Sequence, residues 1–147
     1  MAFKINLGHK EKTFKLEVDS ENLIGKKIGD KLEGKEIKQD LDGYELEITG
    51  TSDKAGFPGL KQIDSFQLKR VLLGYGKGMH KRPRRLGKKP TSSHKGLRLK
   101  KTVRGNQISK DTIQINTKVL KVGHKKLEDI FPDQNKPKAI EVKEEVK

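Results

Sequence analysis

The stretch that most constrains this chain runs from Ser65 to Lys110, 46 residues with fifteen Lys and Arg and no Asp or Glu. The chain carries 34 Lys and Arg in all, so the other 19 stand against all 20 acids. The whole excess of +14 therefore belongs to this third of the sequence. So many like charges oppose compaction, and a partner of opposite sign relieves the repulsion. A phosphodiester backbone does so best, because each contact also releases condensed counterions. The centre of the stretch, Lys81, Arg82, Pro83, Arg84, Arg85, Leu86, Gly87, Lys88, Lys89 and Pro90, has almost nothing apolar to bury. Two prolines and a glycine keep it out of helix and sheet ladders, so it reads as an extended basic loop over about 77–95. The flanks, Phe66 to Leu73 and Gly96 to Arg104, read as strands. In the second, Leu97 and Leu99 point to one face, Arg98 and Lys100 to the other.

At 147 residues the chain allows one ordinary domain and a tail. With 31% apolar and 37% charged residues it can build a small core but hardly a large buried cavity. There is no cysteine, which removes disulfides and thiolate metal sites and is compatible with a reducing compartment. No run of about 18 apolar residues occurs and the N-terminus has no secretory pattern, so the expectation is a soluble, intracellular protein.

Taken in order, Phe3, Ile5 and Leu7 alternate with polar residues, as do Phe14, Leu16 and Val18. Both read as half-buried strands joined by a hairpin over 8–12. Asp19 to Asn22 offers caps, but Gly25 and Gly29 weaken a helix there, so a short helix or a few turns is expected. Residues 34–43 read as polar and turn-like, and 44–49 as a clean strand. Residues 50–59, dense in Gly, Asp and Pro, read as a structured turn with Phe57 tucked in. Without a following Gly-Lys-Ser/Thr it does not match a nucleotide cradle, though its backbone N–H groups could lie against RNA. Thr112 to Val122 is the last strand. Leu120 and Val122 fall out of phase with Ile113 and Ile115, which predicts a bulge or a twist between them. Leu127, Ile130 and Phe131 are placed to close the core, and residues 132–147 form a charged tail of weak order.

Catalytic chemistry has little to stand on. His9, His80, His94 and His124 lie far apart, outside the usual zinc spacings. Ser92, Ser93 and His94 have no orienting carboxylate beside them. Asp53 and Asp64 adjoin turns and suit caps or ion pairs. We therefore expect no enzyme, no cofactor, no metal site and no small-molecule substrate.

One resemblance draws these features together. Gly43-Tyr44, Ile48-Thr49-Gly50-Thr51-Ser52-Asp53-Lys54-Ala55-Gly56-Phe57-Pro58, then Arg82-Pro83-Arg84-Arg85 and Lys101-Thr102-Val103-Arg104-Gly105 resemble the signature of the eukaryotic-type small-subunit ribosomal protein six. Order and spacing agree over roughly residues 43–123, and the N-terminal hairpin is compatible. The chain departs at Thr51, where that family usually has a second Gly, and at Gly59, where it usually has Met. The resemblance implies a small β-barrel-like domain bound to ribosomal RNA in the small subunit, without enzymatic activity. The chain lacks the phosphorylated serine tail of eukaryotic members and so resembles the archaeal form.

The expectation is thus a single mostly-β domain over 1–131 with one short helix, a long basic loop and a charged tail at 132–147. It would be cytoplasmic on the ribosome, contacting small-subunit ribosomal RNA and neighbouring ribosomal proteins, with no membrane. The expected RNA contacts are Lys54, Lys77, His80, Lys81, Arg82, Arg84, Arg85, Lys88, Lys89, Lys95, Arg98, Lys100, Lys101 and Arg104. Arg84 and Arg85, planar and multidentate, suit stacking or base-edge contacts. No aromatic residue lies between Lys77 and Arg104, which argues against a base-stacking single-strand platform. Two rival readings stay open: a module whose basic loop docks on an acidic protein, and a DNA architectural protein, which ranks last for want of a helix–turn–helix or a wedge residue.

Overall fold

The computed structural model describes residues 2–80, 96–132 and 134–135, and 47% of the structure is strand. The alternating N-terminal segments form β1 (Ala2–His9) and β2 (Lys12–Asp19), an antiparallel hairpin pairing Phe3 with Val18 and Leu7 with Phe14. The turn between them places Lys10 at φ 52. The period of two puts Phe3, Ile5, Leu7 and Phe14 on one face, each no more than 1% exposed.

A short β3 (Lys31–Glu33) leads into α1 (Gly34–Ile37) and a 3-10 turn at Gln39–Leu41. The segment read as polar and turn-like is therefore partly helical. Its two aliphatics, Ile37 and Leu41, are buried, and that burial holds the turns in place. Of the short helix or few turns expected after Asp19, the structure has a 3-10 turn, Glu21–Leu23. β4 (Glu45–Asp53) runs beyond the expected strand end at Thr49, into the segment read as a turn.

After β5 (Leu68–Leu73) and β6 (Leu99–Arg104), the chain returns to the sheet as β7 (Thr112–Lys121), and α2 (Leu127–Ile130) follows. The five-stranded sheet has the order β2-β1-β7-β4-β3. β7 lies parallel to β1, with Ile5 beside Ile115, and antiparallel to β4. The predicted phase change is real. Glu45 pairs with Lys121 but Leu46 with Val119, so Leu120 is the extra residue of a bulge. Leu127 is buried, and Ile130 and Phe131 pack on the core as expected, with the Phe14 and Phe131 rings 5.8 Å apart.

The fold is mostly β, but the sheet is open, and the barrel expectation is corrected to that extent. β2 and β3 are its two edges. On β2, the place where a closing strand would pair is taken by a side chain. The Lys15 N–H donates to Gln134 Oε1, and Gln134 Nε2 donates to the Lys15 carbonyl, both at 2.7 Å. Asn135 Nδ2 adds a bond to the Thr13 carbonyl at 2.9 Å. An amide side chain that satisfies an edge this way blocks further strand pairing.

β5 and β6 make a separate antiparallel ribbon, joined to the sheet by a strap of backbone over 58–60. The Gly59 N–H donates to the Thr51 carbonyl (2.9 Å) on β4, while Leu60 N–H donates to, and Pro58 carbonyl accepts from, the backbone of Arg104 (3.0 Å each) on β6. This strap needs glycine where the backbones meet. A Cβ on Gly59 would lie 2.1 Å from Thr51 Oγ1, and one on Gly105 would lie 1.8 Å from the Ser65 carbonyl oxygen.

Candidate nucleic-acid interface

The ribbon register decides which cations share a face. Lys69 stands opposite Val103, Val71 opposite Lys101 and Leu73 opposite Leu99, and these six point one way. Leu68 opposite Arg104, Arg70 opposite Thr102 and Leu72 opposite Lys100 point the other way. The first face is turned toward the body: Val103 is fully buried and Val71, Leu73 and Leu99 are half-buried. Leu97 is half-buried too, while Arg98 and Lys100 are exposed, so the expected alternation holds. Lys69, Arg70, Arg98, Lys100 and Lys101 are all exposed. Among the described residues none of these five makes an ion pair with an acid.

Of the other expected contacts, Lys54 stands exposed in the turn after β4, where its N–H bonds to the Asp111 carbonyl at 3.0 Å. Lys77 is exposed and its Nζ donates to the Thr49 carbonyl at 3.0 Å, beside the β4 bulge. His80, exposed, meets Tyr75 edge-on with ring centres 6.1 Å apart. Lys81, Arg82, Arg84, Arg85, Lys88, Lys89 and Lys95 lie outside the described residues.

Arg104, the last residue of β6, shares the register of that other face, yet its side chain is held against the body. Its Nε donates to Asp53 Oδ2 at 3.0 Å, and Nη1 reaches Asp111 Oδ2 at 3.4 Å and the Phe66 carbonyl at 2.9 Å. Its side chain is 11% exposed and that of Asp53 only 1%. Asp53 Oδ1 also accepts the Phe57 N–H at 2.8 Å. A buried carboxylate needs such partners at both oxygens to offset its lost hydration. Arg104 therefore locks ribbon to sheet and is not part of the exposed basic surface. The bulge brings Asp53 to it: Ile48 pairs with Thr117 and Gly50 with Asn116, so Thr49 is extra and the inward phase shifts to Thr51 and Asp53.

Sequence reasoning left Lys69 and Arg70 out of the contact set, although both lie in the acid-free stretch. The signal that finds them is the pairing of β5 with β6, which sets Arg70 beside Thr102 and Lys69 beside Val103. Asp64 serves an ion pair, as expected, with Lys27 at 2.9 Å. Hydrogen bonds from Lys27 and then Gln107, with the Lys27 charge, hold its carboxyl below the ordinary carboxylate range.

No other chemistry competes with this surface. Among the described residues no three His, Asp or Glu are grouped to hold a metal, and no helix is long and apolar enough to cross a membrane. A groove of about 850 Å³ between the first hairpin and α2 has an apolar floor that includes Phe14, Tyr44 and Leu127, with Lys12, Lys126 and Glu128 among its lining residues. Lys12 and Glu128 form an ion pair there.

Fold and surface together define a small, open-sheet β protein whose distinguishing feature is a concentrated and unneutralised basic surface. The model of the ribosomal protein S6e family matches residues 1–132. The chain is 44% identical over 134 residues to the small ribosomal subunit protein eS6 of Methanothermobacter thermautotrophicus, covering 89% of this chain and 96% of that one. It is 42% identical over 125 residues to the eS6 protein of Methanococcus maripaludis (84% and 90% covered). With the eS6 protein of Methanocaldococcus jannaschii the identity is 40% over 118 residues (80% of each). This chain belongs to the ribosomal protein S6e family, as its motifs implied. The family consists of ribosomal structural proteins, not enzymes.

A Cβ at position 59 would meet both Thr51 Oγ1, at 2.1 Å, and Ile28 Cδ1, at 2.9 Å.

Proposed function

We propose that this protein is a structural constituent of the small ribosomal subunit, acting in the cytoplasm within the ribosome. It binds ribosomal RNA through the basic loop and the exposed cations of the adjoining ribbon. The observation that carries this reading is the acid-free stretch of fifteen cations. Five of its members stand exposed without acid partners, Lys69, Arg70, Lys100 and Lys101 on the β5–β6 ribbon and Arg98 just before it. A backbone already ordered beneath Lys and Arg leaves only side-chain freedom to be lost when they neutralise phosphates. Folded RNA is recognised largely through its shape, phosphates and 2′-hydroxyls, so binding is selective for structure more than for sequence.

Binding to small-subunit RNA as a function of salt tests this. Each neutralised phosphate steepens log K against log salt by roughly 0.7 to 0.9. Replacing Arg82, Arg84 and Arg85 together by Ala is expected to weaken binding and to flatten the slope by about two to three. Lys at the same three positions should restore the slope but leave affinity depressed, because Lys cannot make planar, bidentate contacts. A triple-Ala protein with an unchanged slope would sink the loop as the anchor.

A further inference from the structure

The chain has five Phe and two Tyr, and the structure sorts them by neighbourhood. Phe3, Phe14 and Tyr44 are buried in the core, and Phe57 and Phe131 are half-buried. The two that stand open, Phe66 at 55% and Tyr75 at 43%, are also the two that lie in the acid-free stretch. A ring open among cations offers a π-face to the nucleic acid those cations attract. Of the two, Tyr75 has an aromatic neighbour to fix its plane.

That neighbour is set by a short hairpin. The Gly76 N–H donates to the Met79 carbonyl at 2.9 Å, and the Met79 N–H to the Gly76 carbonyl at 3.0 Å. Met79 is fully buried and anchors the turn, while Lys77 Nζ ties it to the Thr49 carbonyl of β4. In an antiparallel hairpin the residues next to such a doubly bonded pair face each other with side chains close. Here they are Tyr75 and His80, whose rings meet edge-on with planes at 87°. Both are exposed, and in the sequence His80 is followed directly by the cations of the basic loop, from Lys81.

We propose that Tyr75, braced by His80, stacks on one unpaired base of small-subunit ribosomal RNA, at a bulge or loop beside the phosphates that the basic stretch neutralises. Phosphate contacts position a protein but carry no choice of site, whereas an aromatic plane takes only a base that is out of its helical stack. The edge-on imidazole fixes the phenol ring beforehand, so less rotamer freedom is lost on binding. One ring serves one base and not a strand, in keeping with the lack of aromatics between Lys77 and Arg104. The inference rests on the RNA-binding reading above.

Binding of the full chain to small-subunit ribosomal RNA over a salt series separates stacking from charge, because an uncharged ring releases no counterions. Tyr75→Ala is expected to lower affinity about 5- to 100-fold at every salt concentration with the slope unchanged. Tyr75→Leu, which keeps apolar bulk but no plane, should behave like the alanine variant, and Tyr75→Phe should bind within about twofold of the parent. Chemical probing of the RNA then locates the base. One unpaired nucleotide shielded by the parent and by Tyr75→Phe should react again with Tyr75→Ala. Parent-like affinity in Tyr75→Ala or Tyr75→Leu, a flattened slope, a weak Tyr75→Phe, or the same unpaired bases shielded by parent and alanine variant overturns the stacking proposal and leaves the RNA-binding reading intact. A parent protein that does not bind small-subunit RNA overturns both.

Discussion

In the five-stranded sheet, charge is neutralised at home; on the β5–β6 ribbon it is left open. Lys4 pairs with Glu17 across β1 and β2 at 3.5 Å, and Lys121 with Glu45 across β7 and β4 at 3.7 Å. Such exposed pairs add little stability each, but they leave the sheet's surface near neutral. Apart from the bulged Leu120 the sheet also hides its aliphatics, with Ile5, Leu7, Leu46 and Ile48 fully buried, while the ribbon shows Leu68 and Leu72 to solvent. The two regions divide the tasks of the chain: one supplies the core, the other presents surface. They are joined by the inward face of the ribbon, where Val103 is buried, by a backbone strap at Gly59 and by the Arg104–Asp53 ion pair.

The largest expected effect comes from cutting that link. Arg104→Ala leaves the buried Asp53 carboxylate without its cation and should cost about 3–5 kcal/mol in urea unfolding. Ile5→Ala, in the sheet core, is expected to cost about 2–5 kcal/mol. Leu72→Ala, on the ribbon face, should stay within about 0.5 kcal/mol in the isolated protein. A Leu72→Ala cost near that of Ile5→Ala would abolish the contrast between the regions.

The strap gives a sharper test of how the regions are joined. Gly59→Met alone drives a side chain into Thr51 and Ile28, a strain of about 3 kcal/mol. Adding Thr51→Gly, which restores the usual family pair, should recover most of the loss. Unfolding free energies that simply add across the four proteins of this cycle would show that the two positions do not share one space.

A modest effect belongs to the sheet side alone. The Tyr44 hydroxyl donates to the Lys125 carbonyl, and burial, followed by the Asp129 charge, raises its pKa. The folded phenol thus holds its proton more tightly than the unfolded one. Its contribution is fully present below the unfolded value near 10 and is lost as pH rises through the higher folded value. Tyr44→Phe should cost about 1 kcal/mol at neutral pH and remove this part of the alkaline loss. Equal alkaline slopes for the two proteins would show that Tyr44 does not carry it.

Much of this molecule could be read from local pattern. Alternation in Phe3, Ile5 and Leu7, the phase break at Leu120, and the closing residues Leu127, Ile130 and Phe131 all appear where the pattern puts them. The region over 34–43 was misread because Ile37 and Leu41 stand among polar residues and acquire meaning only once a core exists to receive them. Strand β4 outran its expected end because Gly50, Thr51 and Ser52 have turn propensity but pair with Asn116, Ile115 and Gln114 of a strand far along the chain.

The sequence by itself determined the basic stretch, the mostly-β class and the family, because charge density, period-two alternation and motif spacing are properties of neighbours along the chain. Tertiary structure alone decided what each cation does. Arg98 and Arg104 look alike in the sequence, yet one is exposed without an acid partner and the other is committed to Asp53, a residue 51 positions away. It also decided that the sheet stays open, through one glutamine amide on the edge of β2. Burial and ion pairing depend on which distant segments meet, and a bulge of one residue at Thr49 was enough to turn Asp53 toward its arginine.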